Sequence, residues 1–135
     1  MSMFKIFDVS GSAASAQTQR LNVVATNVAN ADTVAGPDGK SFKAHHVVFQ
    51  TVPMGEPTSQ GVQVVNVVES SQEGRKVHQP QHPQADAEGY VTYSNVDPIG
   101  EMVDMISASR SYQNNIEVMN TAKSLLLKTL QMGQS

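Results

Sequence analysis

Few residues in this chain could do chemistry, and their spacing argues against most of it. His78 and His82 form an H-x3-H pair in KVHQPQHPQADAE. On a helix that spacing puts two imidazoles on one face, as zinc sites use. Pro80 and Pro83 forbid a helix here. Asp86 and Glu88 are close in sequence, but no third ligand stands at metal spacing and the chain has no Cys, so an exposed loop is expected. His45 and His46 fall in a strand pattern, where neighbouring side chains point to opposite faces and cannot chelate together. Ser10, Ser12 and Ser15 in SGSAAS lack the G-x-S-x-G elbow and the strand that precedes it. AGPDGK, residues 35–40, has glycines and a lysine without the spacing of a phosphate loop, and a strand pattern follows it. No catalytic residue, cofactor site or metal site is expected, and no enzymatic activity.

Composition narrows the classes further. The chain has 135 residues, enough for one domain or a small domain with appendages, and a net charge of -3 with no basic stripe. Nucleic acid is not an expected partner. Absence of Cys excludes disulfides and thiolate chemistry, and the lack of Trp with 5% aromatic residues disfavours a large aromatic-lined pocket. SAASA, residues 12–16, resembles a signal-peptidase site, but only a short apolar run precedes Asp8, too little for a cleavable secretory signal. No run is long enough to span a bilayer, and the near absence of Lys and Arg on the N-terminal helix argues against lying on one.

The remaining signals concern elements that pack. LNVVATNVANADT, residues 21–33, carries apolar residues at helical spacing, yet Asn recurs at Asn22, Asn27 and Asn30. Between Val9 and Val34 the only charged side chains are Arg20 and Asp32. A helix is expected up to about Ala31, with Leu21, Val24, Val28 and Ala31 as its stripe and Asp8 or Ser10 as its cap. NADTVAGPDGK ends it with turn chemistry. SFKAHHVVFQTV and GVQVVNVVES then read as strands divided by PMGEPTSQG, with short strands about Lys76–His78 and at GYVTY, and a long polar loop between.

The C-terminal segment is the strongest helix. Asp97 is placed as N-cap and Pro98 at the first helical position; Glu101 and Asp104 come early, Lys123 and Lys128 late, matching the dipole. Gly133 is expected to close it in a left-handed conformation. About 35 residues at 1.5 Å each make a rod of about 52 Å, a length typical of coiled coils and assembly elements. Its apolar stripe runs Ile99, Met102, Val103, Ile106, Tyr112, Ile116, Met119, Ala122, Leu126, Leu127 and Leu130. Ser107, Ala108, Ser109 and Ser111 would admit a close neighbour, and Asn114, Asn115 and Asn120 could fix register.

The expected fold is α+β. Long N- and C-terminal helices (residues 1–32 and 97–135) pair as an antiparallel coiled coil, with a small β-rich insert (33–96) between them. Two helices alone leave more than half of each circumference wet. An uncharged amide and hydroxyl face suits a helix surrounded by other subunits, because such groups avoid the several kcal/mol that desolvating an ion costs. Leu21, Asn22, Val24, Asn27, Val28, Asn30 and Ala31 on the first helix are candidate assembly contacts. On the second they are Ile106, Tyr112, Asn115, Ile116, Met119, Asn120, Leu126 and Leu130. Isolated helices are marginal in water, so both ends are expected to be wholly or partly disordered in the free chain and to fold on assembly.

SGSAASAQTQRLNVVATNVANADT resembles the N-terminal signature of the flagellar axial proteins, and NVDPIGEMVDMISASRSYQNNIEVMNTAKSLLLKTLQMGQ the C-terminal signature of the rod and hook members. The short length, HPQADAEGYVTYSNVDP and the terminal LLLKTLQMGQ are similar to the proximal-rod branch. Asp32 stands where the family commonly repeats Asn, and Ser94 where Pro is expected. The resemblance implies a structural subunit of the basal-body proximal rod, self- and hetero-assembling through its terminal helices into a hollow shaft that transmits motor torque. Implied partners are other proximal and distal rod subunits, proteins at the junction with the membrane-supramembrane ring and, during secretion, the flagellar type III export apparatus. The implied location is periplasmic, reached without a cleavable signal and without direct membrane insertion. Two other readings stay open: a distal-rod-like axial component, and a soluble dimeric binding module whose β-insert holds a ligand.

Overall fold

The structure, a computed structural model, describes residues 3–133. The outermost two residues at each end, which the expected helical segments 1–32 and 97–135 include, lie outside the described residues. The order is α1 (Met3–Ala29), β1 (His45–Pro53), β2 (Gln60–Glu69), β3 (Lys76–His78), β4 (Tyr90–Thr92) and α2 (Pro98–Gly133). Two helices and two small antiparallel sheets make the chain α+β.

α1 begins before the expected caps. Asp8 and Ser10 lie inside it, so neither caps its start. The segment Met3 to Phe7 holds no Gly or Pro, and four of its five residues are apolar, so nothing breaks the helix upstream. At its far end Asn30 and Ala31 N–H groups bond back to Asn27 and Val28 carbonyls in a tightened last turn. α2 starts at Pro98, with the Glu101 N–H on the Asp97 carbonyl. At the other end Gly133 is still helical, and the glycines with positive φ are Gly39, Gly55 and Gly89. The left-handed stop expected at Gly133 does not form there.

β1 and β2 form a long hairpin, from the pair His45 and Glu69 to the pair Pro53 and Gln60. The register slips by one residue between Val48 and Phe49, a bulge that leaves Val65 without an opposite residue. The turn is closed by the Met54 N–H to Ser59 carbonyl bond and the Ser59 N–H to Glu56 carbonyl bond, with Gly55 at φ 86°. β3 and β4 form a second, three-residue ladder. Residues 33–35 flank the other side of β4, through the Val34–Tyr93 bridge and the Ala35 N–H to Thr92 carbonyl bond. Val91, at the centre, is fully buried.

α1 is the shared middle element, with α2 packed along it and the β1–β2 hairpin leaning on it. The helices run antiparallel: Arg20 meets Asp104, Gly11 lies by Met119, and Ile6 borders a groove with Ala122 and Leu125. Ser10, Ala14 and Ala16 on α1 and Ala108 and Ala122 on α2 are buried. Small residues at these points let the two backbones approach. The core is thus thin and built from Ala and Val, with no buried aromatic side chain among the described residues.

Candidate assembly surface

The face that α2 turns to α1 differs from the apolar stripe that periodicity suggests. Its non-exposed positions include Glu101, Asp104, Ala108, Ser111, Asn115, Met119, Ala122 and Leu126, each three or four residues from the next. That seam is mostly small or polar. The apolar residues lie largely elsewhere: Ile99 is 74% exposed, Ile106 54% and Leu130 56%, and Met102, Val103, Tyr112 and Leu127 are exposed as well. At 100° per residue, Ile99, Met102, Val103 and Ile106 fall on the side of α2 opposite the seam. Ile116, Met119 and Leu126 are half-buried, and Ala122 alone of the stripe is buried. The stripe thus gives Ile116, Met119, Ala122 and Leu126 to the packing of the single chain and leaves its other positions exposed.

The Asn-rich face of α1 also divides. Asn27 is fully buried: its Nδ2 donates to the His45 carbonyl at 2.8 Å, and its Oδ1 accepts the His45 N–H at 2.9 Å. It imitates a strand partner for the first residue of β1, so the lateral contact expected of it is corrected: it is spent inside the chain. Asn22 is exposed, and Asn30 donates to the Thr26 carbonyl one turn back. On α2, Asn115 donates to the Ser111 carbonyl, and Asn120 is exposed. Leu21, Val28 and Ala31 are half-buried, and Val24 is buried.

Two further stitches had no sequence signal of their own. The Ser12 hydroxyl donates to the Val9 carbonyl and accepts the Val62 N–H, fixing β2 to α1. Gly61 leaves room beside it: a Cβ there would lie 2.6 Å from the Ser12 hydroxyl and 2.5 Å from the end of Met54, so those side chains would have to shift. Asn95 accepts the Ala44 N–H and donates to the Gln72 carbonyl. Ser94, where the resemblance expects Pro, is buried and donates to the Ala31 carbonyl at 2.7 Å. A Pro there would remove both that hydroxyl and the N–H bonded to Thr33.

The histidine pair is spoken for locally. His78 meets Tyr90 edge-on at 5.0 Å, and His82 Nδ1 accepts the Gln84 N–H. Among the described residues no group of three or more His, Cys, Asp or Glu could hold a metal ion, and no helix is long and apolar enough to cross a membrane. The loop from Gln79 to Gly89 is ordered by its own bonds, with Asp86 Oδ1 accepting the N–H groups of Tyr90 and Glu88. Those bonds, Tyr90 first, hold the Asp86 carboxyl below the usual carboxylate range.

The surface to be explained is therefore a helix pair whose inner seam mixes small, polar and apolar residues and whose second helix leaves much of its apolar stripe exposed. Residues 7–37 match the family described as "Flagella basal body rod protein", and residues 87–132 match "Flagellar basal body rod FlgEFG protein C-terminal". These spans cover nearly all of α1 and α2. Across the full length, the chain is 56% identical to the flagellar basal-body rod protein FlgC of Yersinia enterocolitica over 134 residues, covering 99% of this chain and 100% of that one. The FlgC of Escherichia coli O157:H7 is 54% identical with the same coverage. The chain belongs to the FlgC family of flagellar basal-body rod proteins. A more distant relative, from Buchnera aphidicola subsp. Schizaphis graminum, is still 40% identical over 136 residues. Family membership makes the chain a structural subunit of the flagellar basal-body rod, and the enzyme readings have no support in these relatives.

Proposed function

We propose that this chain builds the proximal part of the rod, with α1 and α2 paired as an antiparallel coiled coil and their outer face buried by neighbouring subunits. One observation carries the reading: the exposed line of Ile99, Met102, Val103 and Ile106, opposite the seam that already holds α1. A helix that turns polar residues inward and Ile, Met and Val outward is unfavourable alone and favourable once surrounded. The seam spacing of three or four residues from Glu101 to Leu126 supports coiled-coil-like pairing, with one break in the heptad alternation at Ser111, Asn115 and Met119. Its small residues bring the helices close, and the apolar area stays available for assembly.

In this reading the subunits form a hollow shaft that carries torque, with the sheets on its outside. The segments 1–32, 33–96 and 97–135 act as axial helix, outer insert and axial helix. Neighbours are other proximal and distal rod subunits and the proteins joining the rod to the membrane-supramembrane ring. Delivery is to the periplasm through the flagellar type III export apparatus. The thin core supports folding on assembly, since α1 and α2 bury little of their apolar surface in one chain.

Limited proteolysis of the free chain tests this directly. Cleavage within both terminal helices is expected, together with recovery of the uncleaved chain from purified basal bodies. A free chain that resists protease as a compact monomer or fixed dimer would overturn folding on assembly and favour a binding module.

A further inference from the structure

Three side chains of α1 hold the main chain of the β1–β2 hairpin. At its base Asn27 pairs with both backbone groups of His45. On β2 the Val62 N–H donates to the Ser12 hydroxyl at 3.1 Å. At the turn the Lys5 ammonium donates to the Met54 carbonyl at 2.6 Å. Lys5 and Asn27 stand about 33 Å apart along α1, at about 1.5 Å per residue. The nine residues of β1 span about 30 Å at about 3.3 Å each. The hairpin therefore lies along α1 for nearly the whole distance between those two residues.

Both edges of the hairpin are used. Opposite residues in an antiparallel ladder alternate between pairs bonded to each other and pairs whose backbone groups aim off the ladder. His45 aims off the β1 edge into Asn27, and Val62 aims off the β2 edge into Ser12. One edge is held at the base and the other toward the tip, so the hairpin crosses α1 obliquely. It can neither slide nor roll without breaking main-chain bonds. Among the described hydrogen bonds and ion pairs, none joins the hairpin to α2.

The same bonds could form with the α1 of a neighbouring subunit, but the connection favours the chain's own helix. Both ends of the segment from α1 to β1 are pinned to the residues just before α2. The Ser94 hydroxyl donates to the Ala31 carbonyl, the Ala35 N–H to the Thr92 carbonyl, and the Ala44 N–H to the Asn95 side chain. We propose that the hairpin is a permanent brace on its own α1: in the rod the two turn as one body, and a load on the outer insert passes into α1. The inference rests on the rod reading and adds the element that holds the insert.

Paired cysteines test it, in a chain that has none of its own. A Cβ at position 61 would lie 2.6 Å from the Ser12 hydroxyl. The two Cβ atoms then stand within about 4 Å, the reach of a disulfide, and the flexible end of Met54 has to move aside. Ser12→Cys with Gly61→Cys stays reduced in the cytoplasm and closes after export, where disulfides form. Peptide mass spectrometry of purified basal bodies should find the bond within one chain, with swimming undiminished. A bond between two chains, no bond, or swimming that returns only on adding reductant would each overturn the proposal. If the pair keeps the chain out of basal bodies, hydrogen exchange in rods carrying the unaltered chain decides. Val62 and Thr51 are register partners whose N–H groups both aim off the ladder, and of the two Val62 is held by α1. Exchange about tenfold slower at Val62, with the difference lost in Ser12→Ala, supports the brace; equal rates overturn it. Absence of the unaltered chain from basal bodies would instead overturn the rod reading.

Discussion

Replacing Ile106 with Asp separates assembly from folding. Ile106 lies on the side of α2 opposite α1 and is 54% exposed in the single chain. Burying a whole Ile side chain contributes about 1.5–3 kcal/mol, so roughly 1 kcal/mol remains to be gained from a neighbour. An Asp there forfeits that gain and must also be desolvated, at several kcal/mol per ion. The sum is on the order of 4 kcal/mol per subunit, and at 1.4 kcal/mol per decade, incorporation should fall by about a thousandfold. In the free chain the same change is a surface substitution within about 0.5 kcal/mol, and Ile and Asp differ little in helix propensity. The assay is swimming in soft agar by a strain supplied only with the variant, its presence in purified basal bodies, and circular dichroism of the free protein. Loss of swimming with an unchanged spectrum is expected. Normal swimming would refute the outer face as an interface. Ile116→Asp and Leu126→Asp should also block incorporation, but both residues are half-buried in the single chain, so they report on both steps at once.

Other outcomes follow from particular contacts. Asn27→Ala strands the His45 N–H and carbonyl together and should destabilise the assembled subunit by about 2–4 kcal/mol, read as release from purified basal bodies at lower urea. Gly74→Ala places a Cβ on the Tyr93 carbonyl; the β3–β4 ladder should loosen, with a change in tyrosine fluorescence as the Arg75 guanidinium leaves the Tyr93 ring, now 4.9 Å away. Changing His78 and His82 together to Ala should leave swimming normal, with about 0.5–1.5 kcal/mol lost where His78 packs on Tyr90. Asp86 has a folded-state pKa below its unfolded value. Its contribution to the loop is therefore present above the usual carboxylate range and lost as pH falls through the folded value, below about pH 4. Faster amide exchange at Glu88 and Tyr90 on acidification would show it, and Asp86→Asn should flatten that response.

Much of the architecture was legible because its signals are local. The Asp97-Pro98 start of α2, the β-branched runs of β1 and β2, and the turn chemistry after Ala31 each act within a few residues, and the elements form where those residues stand. The start of α1 was misread for a related reason: Asp8 and Ser10 have the chemistry of caps, but a cap acts only if the chain upstream is not helical. Family membership was legible too, since it rests on the order of residues along both ends.

What the sequence by itself determined, then, is which segments are helix and strand, and that a long apolar stripe runs along the second helix. Only the tertiary structure decided what each stripe is buried against. Periodicity reports that Ile99, Met102, Val103 and Ile106 share a face, but not that α1 takes the opposite, polar one. That choice depends on close backbone approach at Ala108 and Ala122, which adds no hydrophobic signal to a sequence scan. Asn27 likewise looks like any exposed amide until β1 arrives, 18 residues later, with a backbone pair of the right spacing. Glu101 is an ordinary first-turn acid in sequence; only the packing of α1 and β1 against α2 buries it.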